Sequence, residues 1–195
     1  MSLIARDNGK GDYEQTPAGT HLAICYLLAD MGMQETNFGL KAKIVIGWEL
    51  PFEKMSDGRP FGCSKMYTLS LNEKANLRHD LEAWRSRKFT EQELDGFELS
   101  AVLGKPCQVT IVHDTKGDKT YSNVASVTAI AKGMTIPERH NDLVSYDMDA
   151  PDADAYGRLP EWIRKKIDAA RTLPQGNQDN DERNPPADFD DDIPF

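Results

Sequence analysis

Residues 40–50 read Leu-Lys-Ala-Lys-Ile-Val-Ile-Gly-Trp-Glu-Leu, and their alternation decides the fold class. Leu40, Ala42, Ile44, Ile46 and Trp48 fall on one face, while Lys41, Lys43, Val45 and Glu49 fall on the other. That period of two belongs to a strand with one face in a core. Upstream, residues 21–30 are rich in Leu, Ile, Ala and Tyr and read as a strand buried on both faces. The polar residues 32–37 then form the loop between the two strands. Downstream, residues 51–60, containing Asp57-Gly58, read as a turn or extended loop, and strand character resumes over residues 61–71.

Helical signals follow. Asn72 is placed to cap a helix whose Leu77, Leu81 and Trp84 recur at i, i+4 and i+7. Thr90 with Glu93 makes a capping box ahead of short helical turns that end at Gly104. Residues 107–113 and 120–130 then read as two strands joined through a turn at Gly117, a hairpin. Three strands, a helical insert and two strands is the order of the OB-fold, a five-stranded, partly open barrel. Other small barrels share this string. The expectation is an all-β OB-fold barrel with a helical insert between strands 3 and 4.

The chain has 195 residues, 39% of them hydrophobic, with 7 Phe, 6 Tyr and 3 Trp, which suffices for one core with appendages. The net charge of −9 is unevenly placed: residues 141–195 carry 14 acids and 6 bases, whereas residues 1–140 are close to neutral. This argues against a simple basic coat for DNA and for a neutral domain with an acidic tail. Residues 1–134 are assigned to the barrel and residues 135–171 to an acidic linker with a short amphipathic helix on Ile163, Ile167 and Ala170. Residues 172–195, with 7 acids, one base and four prolines, form a tail expected to be disordered. The longest largely apolar stretch, residues 22–29, is too short to span a bilayer, and no signal-peptide pattern opens the chain, so a cytoplasmic protein without membrane contact is expected. Cys25, Cys63 and Cys107 have no paired spacing and read as free, buried thiols.

The most specific stretch is Asp188-Phe189-Asp190-Asp191-Asp192-Ile193-Pro194-Phe195. It resembles the acidic C-terminal tip of bacterial single-stranded DNA-binding proteins. Such a tip works by simple chemistry: the Phe195 ring enters an apolar pocket, its carboxylate meets an Arg or Lys, and the aspartates steer toward a basic rim. The body, through residues 64–78, 81–85, 103–107 and 119–126, resembles phage-encoded single-stranded DNA-binding proteins with an OB-fold. The resemblance implies sequence-independent binding and protection of single-stranded DNA during phage replication or recombination. The tip would recruit replication, recombination and repair proteins in the host cytoplasm. No cofactor and no catalysis are expected, and the oligomeric state stays open, a homo-oligomer included.

Single-strand binding needs aromatic faces for bases and cations for phosphates. Residues 38–67 hold Phe38, Trp48, Phe52, Phe61 and Tyr67 together with five cations against three acids. Within them Lys41 and Lys43 occupy the face opposite the core, read either as a solvated sheet face or as phosphate contacts. Trp48 shares the core phase. Phe52, Arg59 and Phe61 flank a turn, and Lys65 with Tyr67 forms a same-face cation and stacking pair. Lys116, Lys119 and Tyr121 sit in the last hairpin, where a plain polar turn is the competing reading. Arg164, Lys165 and Lys166 are read either as DNA contacts or, the commoner case, as the wet face of an amphipathic helix. His21, His79, His113 and His140 are scattered, the aspartates of residues 147–154 lack the spacing of a calcium loop, and no phosphate-binding or nucleophile motif occurs, so no metal site is expected. The rival function is a protein-interaction adaptor that mimics the tip without binding DNA.

Overall fold

The computed structural model describes residues 14–136 and 138–171. Its centre is a mostly antiparallel six-stranded sheet in the order β3-β2-β1-β4-β5, with β6 attached to β1. The strands are β1 (Gly19–Thr36), β2 (Gly39–Lys54), β3 (Pro60–Thr68), β4 (Pro106–Lys116), β5 (Lys119–Thr128) and β6 (Val144–Tyr146). Helices α1 (Asn76–Arg85) and α2 (Glu91–Asp95) and a 3-10 turn (Leu99–Val102) lie between β3 and β4, and α3 (Ala153–Arg158) and α4 (Glu161–Arg171) follow β6.

Several expectations change here. Residues 32–37 are not a loop: β1 runs on to Thr36, and only Asn37 and Phe38 turn into β2. The strand survives its polar end through an irregularity between Asp30 and Met33, where Gly32 takes φ +63° and its N–H donates to Asp30 Oδ1 at 2.8 Å. Helix α1 starts at Asn76 rather than after Asn72, whose carbonyl Oδ1 instead accepts from the Lys74 N–H in a preceding turn. The Thr90–Glu93 capping box forms in both directions. The five-stranded barrel is also corrected: there are six strands, and β3 and β5 are the ends of the pairing order, not hydrogen-bonded to each other, so the sheet does not close.

Other groups fill that seam. The buried Thr16 donates its hydroxyl to the Gly62 carbonyl of β3, and its own carbonyl accepts from His113 Nε2 of β4 at 2.8 Å and Ser122 Oγ of β5 at 3.0 Å. Further along, α1 packs on β5 and β3, and Trp84 Nε1 donates to the Pro106 carbonyl at 2.8 Å. Inside lies the first core, with Ala23, Cys25, Ile44, Ile46, Trp48, Leu50, Val109 and Ile111 against Leu77, Leu81 and Trp84.

The largest departure from the sequence reading lies in residues 138–171: the amphipathic helix on Ile163, Ile167 and Ala170 is present as α4, but the stretch before it, read as a linker, adds strand β6 to the sheet. One edge of β1 pairs with β4 over Gly19 to Ile24, and β6 takes over that edge over Leu27 to Ala29. The buried strand therefore keeps its backbone hydrogen bonds where β4 leaves it. Glu49, wholly buried on β2, accepts from the N–H groups of His140 and Asn141 at 2.7 Å each and from Asn141 Nδ2 at 2.6 Å, which fastens the incoming strap. Helices α3 and α4 then lay Ala155, Leu159, Ile163 and Ile167 on Leu27, Ala29, Met31 and Val45, a second core on the sheet's other face.

Candidate nucleic-acid interface

The ten body residues proposed from sequence separate into three groups. Phe61 and Tyr67 are 8% and 2% exposed and belong to the first core, so neither offers a ring face to a base. Lys65 lies 5.3 Å over the Tyr67 ring, as their same-face spacing suggested, but both are tied to α1: Lys65 Nζ and the Tyr67 hydroxyl donate to Asp80 Oδ2 at 3.0 and 2.7 Å. This trio fastens β3 to the helical insert rather than forming a free stacking and phosphate pair.

The second group lies where β2 turns into β3 and β4 into β5. Phe52 is 65% exposed near the end of β2, and Arg59 is exposed in the following turn, paired with Asp57 at 2.6 Å. The Asp57 hydrogen bond raises the Arg59 pKa and lowers that of Asp57. Tyr121 is 47% exposed on β5, and Lys116 faces Lys119 directly across the hairpin. Like charges directly opposite destabilise a sheet, so this pairing works against the hairpin's own stability. The two turns are neighbours. The Glu14 carboxylate holds Ser56 of one, and Thr16, two residues on and thus within about 7 Å, holds His113 and Ser122 at the base of the other. Phe52, Arg59, Lys116, Lys119 and Tyr121 therefore share one end of the sheet, with two exposed rings and three cations.

The third group lies at the opposite end. Lys41 and Lys43 are half-buried on β2, Lys41 in register with Gln34 of β1 and Lys43 with Thr68 of β3. Lys43 Nζ donates to Thr68 Oγ1 at 2.8 Å. Beside it lies an open groove of about 470 Å³ lined by Gln34, Glu35, Thr36, Asn37, Lys43, Met66 and Lys166. Sequence reasoning assigned no role to Gln34 or Asn37 and weighed Lys166 between a DNA contact and a wet helix face, favouring the latter. Phe38, 48% exposed in the adjoining turn, was counted among the aromatics but not singled out. Its exposure follows from the two-residue turn of Asn37 and Phe38, which the expected loop over residues 32–37 did not define.

Trp48 is in the core, as its phase indicated. His21 and His113 hold the segment before β1, and His79 and His140 are exposed. Burial pushes the Cys25 and Cys63 thiols up to about 12, and Cys107 is raised further by the same cause. Among the described residues no group of three His, Cys, Asp or Glu could hold a metal ion, and no helix is long and apolar enough to cross a membrane. The tip residues 188–195, and the tail from residue 172 on, lie outside the described residues. No protein-family model matches the chain, and no curated protein is significantly similar to it.

Proposed function

We propose that this protein binds single-stranded nucleic acid without sequence preference, as an OB-type module whose acidic tip recruits other proteins of DNA replication, recombination and repair. The observation that carries this reading is the connectivity: the order β3-β2-β1-β4-β5, with the helical insert between β3 and β4, is consistent with an OB-type arrangement left open at the β3/β5 seam. It is supported by the exposed rings and cations of residues 52–59 and 116–121. Stacking on Phe52 and Tyr121 is indifferent to base identity, and Arg59, Lys116 and Lys119 supply charge for a phosphate backbone. The resemblance of residues 188–195 to the single-stranded DNA-binding tip supports the recruiting half.

The test is fluorescence anisotropy of a labelled oligothymidine and of a matched duplex, titrated with the full chain. Saturable single-strand binding that exceeds duplex binding, and is weakened by K116Q/K119Q, agrees with the proposal. Absence of binding to either at low salt overturns it and leaves the adaptor reading, in which only the tip acts.

A further inference from the structure

The groove between the β1–β2 turn and α4 is built from parts far apart in the sequence. Lys43 projects from β2 on the face away from the first core, and its neutral partner Thr68 fixes the ammonium without cancelling its charge. Lys166 comes from α4, whose position here is set by Gln34: its Nε2 donates to the Met31 carbonyl at 2.7 Å and to the Lys166 carbonyl at 3.1 Å. Thr36 stiffens the turn, donating to the Gly39 carbonyl at 2.8 Å and accepting from the Phe38 N–H at 3.1 Å.

Two lysines, Lys43 and Lys166, thus line one concavity with a single acidic residue, Glu35. Among the described residues neither lysine has a carboxylate within ion-pair distance, whereas the adjacent Lys165 is paired with Glu161 at 2.7 Å. A concave site with surplus charge of one sign attracts and concentrates the opposite charge. The lining also offers the side-chain amide of Asn37 and the thioether of Met66, a soft surface suited to an aromatic ring. Phe38, the sequence neighbour of the lining residue Asn37, stands exposed.

We infer that this groove holds one nucleotide unit of a bound single strand, its phosphate between Lys43 and Lys166, its base over Met66 beside Asn37, and the next base on Phe38. The inference rests on the single-strand reading and deepens it. It assigns Asn37, Phe38, Met66 and Lys166 to the strand path, and it makes α4 part of the binding surface.

The test uses the full chain and labelled oligothymidine, with anisotropy read across a salt series. Each phosphate deprived of its lysine should flatten the slope of log affinity against log salt by about 0.7, which is about fivefold in affinity at 0.1 M salt. K166Q is expected to weaken binding by about fivefold and to flatten the slope by that amount, and K43Q/K166Q by about 25-fold with twice the change in slope. K165Q, the same charge change one residue away on an ion-paired lysine, should leave both within twofold. If K43Q disturbs folding through Thr68, K166Q alone decides. Should the wild type bind while K166Q matches it, or while K165Q falls as far as K166Q, the groove assignment is overturned and the single-strand reading survives. Should the wild type not bind oligothymidine, both fall.

Discussion

Ile167 on α4 is wholly buried against the second core, and replacing it by alanine tests whether residues 138–171 belong to the fold. The substitution removes three carbons, about 2.4 kcal/mol in transfer free energy at about 0.8 kcal/mol each. The space left between α4 and the β1–β2 surface adds a cavity term, bringing the cost to about 3 kcal/mol, inside the range for such truncations. For a chain of this size that is a fall in Tm of about 6–12 °C. The two cores also share strands: Ile44 and Ile46 face one and Val45, between them, faces the other. Loosening α4 should therefore lower the stability of the whole molecule. The assay is urea unfolding in a W162F background, because Trp162 lies on α4 itself, followed both by tryptophan fluorescence, which then reports on Trp48 and Trp84 of the first core, and by far-ultraviolet circular dichroism. Coincident transitions, shifted together by I167A, are expected. A shift below about 1 kcal/mol, or a helical signal that disappears well before the fluorescence change, would refute the shared core.

Three further outcomes follow from the hydrogen bonding and burial of particular side chains. Y67F removes the hydroxyl from Asp80 and should cost about 1.5–3 kcal/mol in denaturant unfolding while leaving oligothymidine affinity within twofold; a large loss of affinity at unchanged stability would return Tyr67 to the binding surface. Burial acts to raise the Glu82 pKa, but hydrogen bonds from Lys88, Arg78 and the Phe89 N–H outweigh it, and hydrogen bonds from Arg87 and the Thr90 N–H lead in lowering that of Glu93, so both carboxyls lie at about 2 against an ordinary 4.5. Because both folded values are depressed, the stability they confer is complete above the ordinary value and drains away as pH falls from about 4.5 to about 2; E82Q/E93Q should show a flatter urea midpoint over that window, and an unchanged slope would contradict the assignment. Cys25 and Cys107, buried with raised pKa values, should react with a thiol reagent at pH 8 only as fast as the protein opens, whereas Cys63, read from sequence as buried but half-buried in the fold, should react sooner; rapid labelling of Cys25 or Cys107 in native protein would be the contrary result.

Much of the architecture was readable locally. The phase of Ile44, Ile46 and Trp48, the Thr90–Glu93 box and the Gly117 hairpin each encode their own geometry within a few residues. The second core was half visible: residues 21–30 read as buried on both faces, which demands a cover, and α4 showed an apolar stripe with no stated partner. What joined them, the Glu49 carboxylate gathering His140 and Asn141 from 91 and 92 residues away, has no local signature. The candidate site divided in the same way. Phe52 is exposed as its place beside a turn suggested, but Phe61, read in the same way, packs into the first core, and Lys65 and Tyr67 obeyed the right periodicity yet met Asp80, a partner that only the packing of α1 supplies. Lys166 joined Lys43 for the converse reason, since a wet helix face becomes a groove wall once the helix docks beside a strand end.

Hydrogen exchange of the full chain, with and without saturating oligothymidine, tests the central claim most directly because it reports binding and its location together. The account predicts added protection over residues 34–43, 52–59 and 116–121 and along α4, with the helical insert at residues 76–102 unchanged. No change anywhere, or protection confined to the insert, would contradict it.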